Sequence, residues 1–140
     1  MRKSTEDQLK GLTTEWSLPL DFGRLPTQAA FVFDFAHECQ AYGGGVGNGK
    51  TLGAIAKCFF LSYMIPGSVG LIARWDGKEL RQTTMMEFYN LVPKAMIDSR
   101  NDQMGVLKFK AKYGGSTIFY GDLKETRAIN NYNLSWAYVD

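Results

Sequence analysis

The sequence predicts an α/β protein in three layers, with helices on both faces of a mainly parallel central sheet that is incomplete at its C-terminus. Three observations predict it. Strand patterns alternate with helix patterns through the middle of the chain, the order that parallel crossovers require. A glycine-rich loop joins a short β-prone run to a long apolar helix. The last hydrophobic run, Leu134-Ser135-Trp136-Ala137-Tyr138-Val139, ends in Asp140. A length of 140 residues is that of one domain, and an apolar fraction of 45% is enough to bury a core.

Residues 5–12 read as a first helix, with Ser4 as N-cap and Asp7 in the capping-box region. A Pro-containing connector follows, so residues 1–24 divide from a main unit at 25–140. Pro26 stands at the entrance of a helix over 27–36. Cys39-Gln40-Ala41-Tyr42 is the strand entering the glycine loop, and a helix over 50–64 leaves it. That helix buries Leu52, Ile55, Ala56, Phe59, Phe60 and Tyr63, and Pro66-Gly67 stops it. The run at 69–73 suits a central parallel strand covered on both faces. Residues 78–91 read as a helix closed off by Pro93. Residues 107–120 read as an antiparallel hairpin turning at Gly114-Gly115. In it Leu107, Phe109, Ala111 and Tyr113 alternate with Lys108, Lys110 and Lys112. Residues 123–130 are a weak helix or loop, and there is no internal repeat.

A net charge of +2 gives no warrant for nucleic-acid binding by overall charge, so any basic contact must be local. Cys39 and Cys58 lie in apolar surroundings and read as buried free thiols in a reducing compartment. The polar N-terminus does not read as a signal peptide, and the longest apolar segment is broken by Gly53, Lys57 and Ser62. The expectation is a soluble, cytoplasmic protein.

Gly44-Gly45-Val46-Gly47-Asn48-Gly49-Lys50-Thr51 satisfies G-x-x-x-x-G-K-[ST], the phosphate-binding loop. Glycines let the backbone turn so that N–H groups converge on phosphate oxygens. Gly44, Gly45, Gly47, Asn48 and Gly49 form that cradle, and the following helix N-terminus adds its partial positive charge. Lys50 would reach the β- and γ-phosphates of ATP, and the Thr51 hydroxyl would ligate Mg²⁺. The plainer alternative is a turn before a helix, with Lys50 solvated. An apolar strand ending in Asp is the Walker B pattern, which places Asp140 at the sheet edge where α/β proteins bind ligands and where it shares the Mg²⁺ with Thr51. Such a strand also occurs wherever Asp caps the next segment. Together the motifs specify a three-layer P-loop NTPase of the ASCE type. ATPases of this arrangement carry Glu directly after the Asp, a position beyond Asp140, so the chain is expected to be an N-terminal fragment that binds nucleotide better than it hydrolyses it.

The order Leu25-Pro26-Thr27-Gln28, the glycine loop, Leu71-Ile72-Ala73-Arg74 and Leu80-Arg81-Gln82-Thr83-Thr84 resembles the large terminase subunit of tailed bacteriophages. So does Gly115-Ser116-Thr117-Ile118-Phe119-Tyr120-Gly121-Asp122-Leu123 followed by Asn133 and the terminal strand. The resemblance covers residues 25–140. It implies an ATPase that drives double-stranded phage DNA into a procapsid in the host cytoplasm. It also implies work with the portal and the small terminase subunit, as a homo-oligomeric ring when complete. The nuclease domain of such proteins is not in this chain. Gln28 matches the glutamine that reads the adenine edge; as a bare residue it is equally a surface glutamine on a helix. Many terminases carry Arg where this chain has Val46, so Arg74 or Arg81 would have to meet the γ-phosphate, and for either the alternative is a salt bridge.

Other candidates are weaker. His37-Glu38-Cys39 has the wrong spacing for a metal on one helix face. The lysine stripe at 108, 110 and 112 would follow a DNA backbone, though such a stripe is more often a solvated strand face. Alternatives to the packaging ATPase are a helicase-like translocase, a small-molecule kinase, and a nucleotide-binding fragment without turnover.

Overall fold

Proline sets the first helix. The computed structural model describes residues 21–41, 43, 49–124 and 133–140; the expected helix at 5–12 and residues 125–130 lie outside them. In α1 (Pro26–Val32) Pro26 occupies the first turn, where its missing N–H leaves no bond unmade. The helix stops short of the expected residue 36, because the Asp34 carboxylate takes the Ala36 N–H at 3.0 Å and offers the backbone a local turn.

The second helix, α2 (Lys50–Met64), has the expected bounds. Ile55, Ala56, Phe59 and Phe60 are buried as expected, while Leu52 and Tyr63 are half-buried. Cys58 is buried on the same helix, but Cys39 is exposed, which corrects the expectation of two buried thiols. The central strand β1 (Val69–Arg74) follows. Asp76 then caps α3 (Gly77–Glu79) by accepting the N–H groups of Lys78 and Glu79 at 2.8 and 3.1 Å. The helix runs on through a π turn, Leu80–Thr84, into α4 (Met85–Leu91). Val92 is extended ahead of Pro93, as a residue before proline prefers.

The remaining strands are β2 (Ile97–Asn101), β3 (Val106–Phe109), β4 (Thr117–Asp122) and β5 (Trp136–Val139). Their order in the sheet is β2-β3-β4-β1-β5. β1 is parallel to both β4 and β5, whereas β2–β3 and β3–β4 are antiparallel. The sheet is therefore mixed, and the expected mainly parallel sheet of a three-layer P-loop NTPase is not what the chain forms.

Burial explains the layering. Gly70, Ile72, Leu107, Phe109, Ile118, Tyr120 and Trp136 share one face of the sheet and are all buried. Phe59 of α2 stacks against Phe109, and Tyr89 of α4 meets the Tyr120 hydroxyl at 3.2 Å, so both helices lie on that face. On the other face Lys108 and Ala137 are exposed and Val139 is 59% exposed, whereas Leu71 and Ala73 of the central strand are buried there too. Among the described residues α2 and α4 are thus both placed on the first face, and the expected three-layer arrangement is not what the chain clearly forms.

The expected strand at 39–42 is also absent over Cys39, Gln40 and Ala41. Lys57 of α2 donates to the carbonyls of Phe31 and Asp34 at 3.0 and 2.6 Å and to the Gln40 side chain. Gln40 Nε2 donates in turn to the Asp34 carbonyl at 2.9 Å. These bonds tie the segment back to the end of α1. Conversely β2 escaped the sequence reading: only Ile97 in it is not exposed, so it carries no apolar alternation. The hairpin is real, but a short 3₁₀ turn, Ala111–Tyr113, interrupts it and leaves Ala111 exposed.

One close approach welds β5 to the core. A Cβ added at Gly70 would lie 2.0 Å from Trp136 Cζ2, so the indole lies directly across the glycine. Gly70→Ala should lower stability by about 1–3 kcal/mol, read as a fall in the urea midpoint. An unchanged midpoint would show that the indole is free to move aside.

Candidate functional site

Three parallel strands finish at one edge of the sheet. Arg74 closes β1 in register with Asp122 of β4, and Asp140 follows the last pair, Ala73 with Val139. The edge holds Asp140 in place through its own N–H, which donates to the Ala73 carbonyl at 2.9 Å.

The Asp140 side chain gathers its surroundings. Its Oδ2 accepts from the Thr84 hydroxyl at 2.7 Å and pairs with Arg74 Nη1 at 3.5 Å. Arg74 in turn pairs with Glu79 at 3.0 Å and donates to the Thr83 hydroxyl at 3.0 Å. Tyr138, two residues back on the same face of β5, interacts with both the Asp140 carboxylate and Thr51 at the start of α2. Burial and the Asp140 charge push the Tyr138 phenol well above its usual range, so it stays a neutral hydroxyl.

The helix N-terminus is reached from the other side by Gln28. Gly49, at the N-cap of α2, has a left-handed backbone with φ of 67°. A Cβ there would lie 3.1 Å from Gln28 Nε2, so glycine answers both the backbone and the neighbour. A continuous set of neighbours runs from Gln28 through Gly49, Lys50 and Thr51 to Tyr138, Asp140 and Arg74. Gly44, Gly45, Val46, Gly47 and Asn48 lie outside the described residues.

Of the two arginines, Arg74 belongs to this cluster. Arg81 is exposed on the π turn and acts on Asp102 at the tip of the β2–β3 hairpin. His37 Nδ1 bonds to Asp34 at 2.7 Å, and no group of three metal-capable His, Cys, Asp or Glu side chains occurs among the described residues. A nucleotide-bound Mg²⁺ does not need one, since phosphate oxygens and waters supply most of its ligands. The Thr51 hydroxyl and Asp140 carboxylate are hard oxygen donors that both influence the Tyr138 phenol, and their chemistry fits that ion. Lys108, Lys110 and Lys112 are exposed, but the 3₁₀ turn takes Lys112 off the strand and over the Tyr113 ring. Among the described residues no helix is long and apolar enough to cross a membrane.

No protein-family model, curated protein or solved structure matches the chain. The arrangement must be read from its own chemistry.

Tyr138, Glu79, Thr83 and Thr84 are site residues that the sequence reading passed over. The period-2 spacing from Asp140 was a usable signal for Tyr138. For the threonines there was none, because the π turn decides where they point.

The tyrosines set an alkaline limit on stability. Tyr89, Tyr120 and Tyr138 are all raised, chiefly by burial. Their folded values exceed the unfolded value of about 10, so their contribution is complete below that pH and declines as pH rises beyond it. Tyr138→Phe should therefore lose less stability than wild type between about pH 9 and 11, by urea titration. Lys57, lowered by burial, acts in the opposite sense and cancels in the comparison. Equal losses would mean that Tyr138 ionises freely in the fold.

Proposed function

We propose that this chain is the ATP-binding and ATPase segment of a viral DNA-packaging motor of the large-terminase kind, acting on double-stranded DNA. The observation that carries nucleotide binding is the placement of Lys50 and Thr51 at the first turn of α2 with Asp140 at the C-terminal edge of the parallel strands, both Thr51 and Asp140 acting on the Tyr138 phenol. Lys50 stands one residue before Thr51, at the first turn of α2, where partial positive charge favours phosphate. Gln28 lies against Gly49, directly before Lys50, and its amide suits an adenine edge. A magnesium ion held by Thr51 and Asp140 would neutralise phosphate charge there. Arg74 supplies the cation that Val46 does not.

The packaging role rests on the resemblance of residues 25–140, above all the hairpin and terminal strand. Portal, procapsid and small-subunit partners, a ring assembly and a place in the host cytoplasm come with that role. A second reading, nucleotide binding without turnover, draws on one observation: Arg74 is already paired with Glu79 and Asp140. An arginine so held has to leave a partner before it meets a γ-phosphate.

Calorimetry with Mg·ATP tests the shared step. Wild type should bind, and Lys50→Ala should weaken binding by roughly ten-fold or more, the loss of a charge-assisted contact. A folded wild type with no binding heat, or a variant that binds equally well, overturns the proposal. Phosphate release with double-stranded DNA present, abolished by Lys50→Ala, separates the motor from a binder without turnover.

A further inference from the structure

The helix leaving β1 is regular except at one turn. Leu80–Thr84 is π-helical, and the Met85 N–H donates to the Leu80 carbonyl five residues back. Leu80 and Met85 are both about 1% exposed although five positions apart, a spacing that a regular α-helix would send to different faces. The extra residue per turn is what lets both pack inward. Such π turns are uncommon and recur at functional sites.

Its product is a pair of threonines facing the sheet edge. Thr83 donates its hydroxyl to the Glu79 carbonyl at 2.7 Å, the usual back-bond of a helical threonine, and accepts from Arg74. Thr84 differs. It is completely buried, and its hydroxyl donates to Asp140 Oδ2 instead. A buried hydroxyl needs a partner, and a buried donor on a carboxylate oxygen limits how that carboxylate turns. The Arg74 contact falls on the same oxygen, so both restraints act on one side of the group.

We infer that Thr84, presented by the π turn, is a positioning residue that aims the Asp140 carboxylate at the magnesium of a bound nucleotide. The inference rests on the nucleotide-binding reading above. Thr84 touches neither nucleotide nor metal; it acts through Asp140, as a hydroxyl that orients a metal-binding carboxylate. Because α4 continues from the same turn into the core through Phe88 and Leu91, the orientation is anchored to the body of the fold.

The test titrates Mg²⁺ against binding of a fluorescent ATP analogue to the full chain, with a parallel measurement in EDTA. Thr84→Val keeps the shape and removes the donor; Thr84→Ser keeps the donor. Thr84→Val should raise the Mg²⁺ half-saturation point about ten-fold, the usual scale for a residue that orients a metal ligand. Thr84→Ser should stay within about two-fold of wild type, and affinity in EDTA should be the same for all three. In an Asp140→Asn background, Thr84→Val should have no further effect. If Thr84→Val does not fold, Thr84→Ala is read in its place. A Thr84→Val midpoint equal to wild type, equal shifts in the Val and Ser variants, or a matching loss in EDTA overturns the inference while leaving nucleotide binding intact. A wild type that binds no ATP with Mg²⁺ present removes the nucleotide reading itself, and the inference with it.

Discussion

The Asp140 carboxylate is the point on which the rest of the edge depends. Thr84 from the π turn, Arg74 from β1 and Tyr138 from β5 all meet it, and Tyr138 carries the connection on to Thr51 at the head of α2. A donor and a cation both meet its Oδ2, so one side of the carboxylate is held by charge-assisted bonds. The same contacts tie two helices and two strands to a common corner. Charge and geometry are therefore set together.

Beneath that corner α2 and α4 pack on one face of the sheet, where aromatic side chains dominate: Phe33, Phe59, Phe60 and Phe109 follow one another at ring separations between 5.3 and 6.4 Å. Trp136 across Gly70 extends the core under β5, and its indole N–H is the buried polar side-chain atom left without a bond among the described residues. At the far end of the sheet Tyr120 donates to Asp102 at 2.5 Å, and Arg100 both pairs with that carboxylate and stacks on Tyr89. This second network fastens the antiparallel hairpin to α4.

Much of this was legible beforehand where one physical signal dominated. The bounds of α2 followed from its apolar pattern and the Pro66-Gly67 stop, and β1 from an unbroken apolar run. The break of α1 at Asp34 was not legible, since an Asx turn and continued helix differ by one side-chain bond. Nor was β2, a polar edge strand that hydrogen bonds hold without an apolar face. The error over strand direction has the same root. The apolar run at 69–73 shows a central strand covered on both faces, as β1 is, but not that the strands beyond its neighbour run antiparallel.

Local chemistry thus determined α2, β1 and the residue types suited to phosphate and magnesium. Those depend on composition and spacing over a few turns. Only the tertiary structure decided which way the strands run, which face the helices cover, and that Arg74 rather than Arg81 joins Asp140. It alone made a site residue of Thr84. Each of those outcomes turns on packing between segments far apart in the chain, and at the π turn on a single extra residue that no periodicity announces.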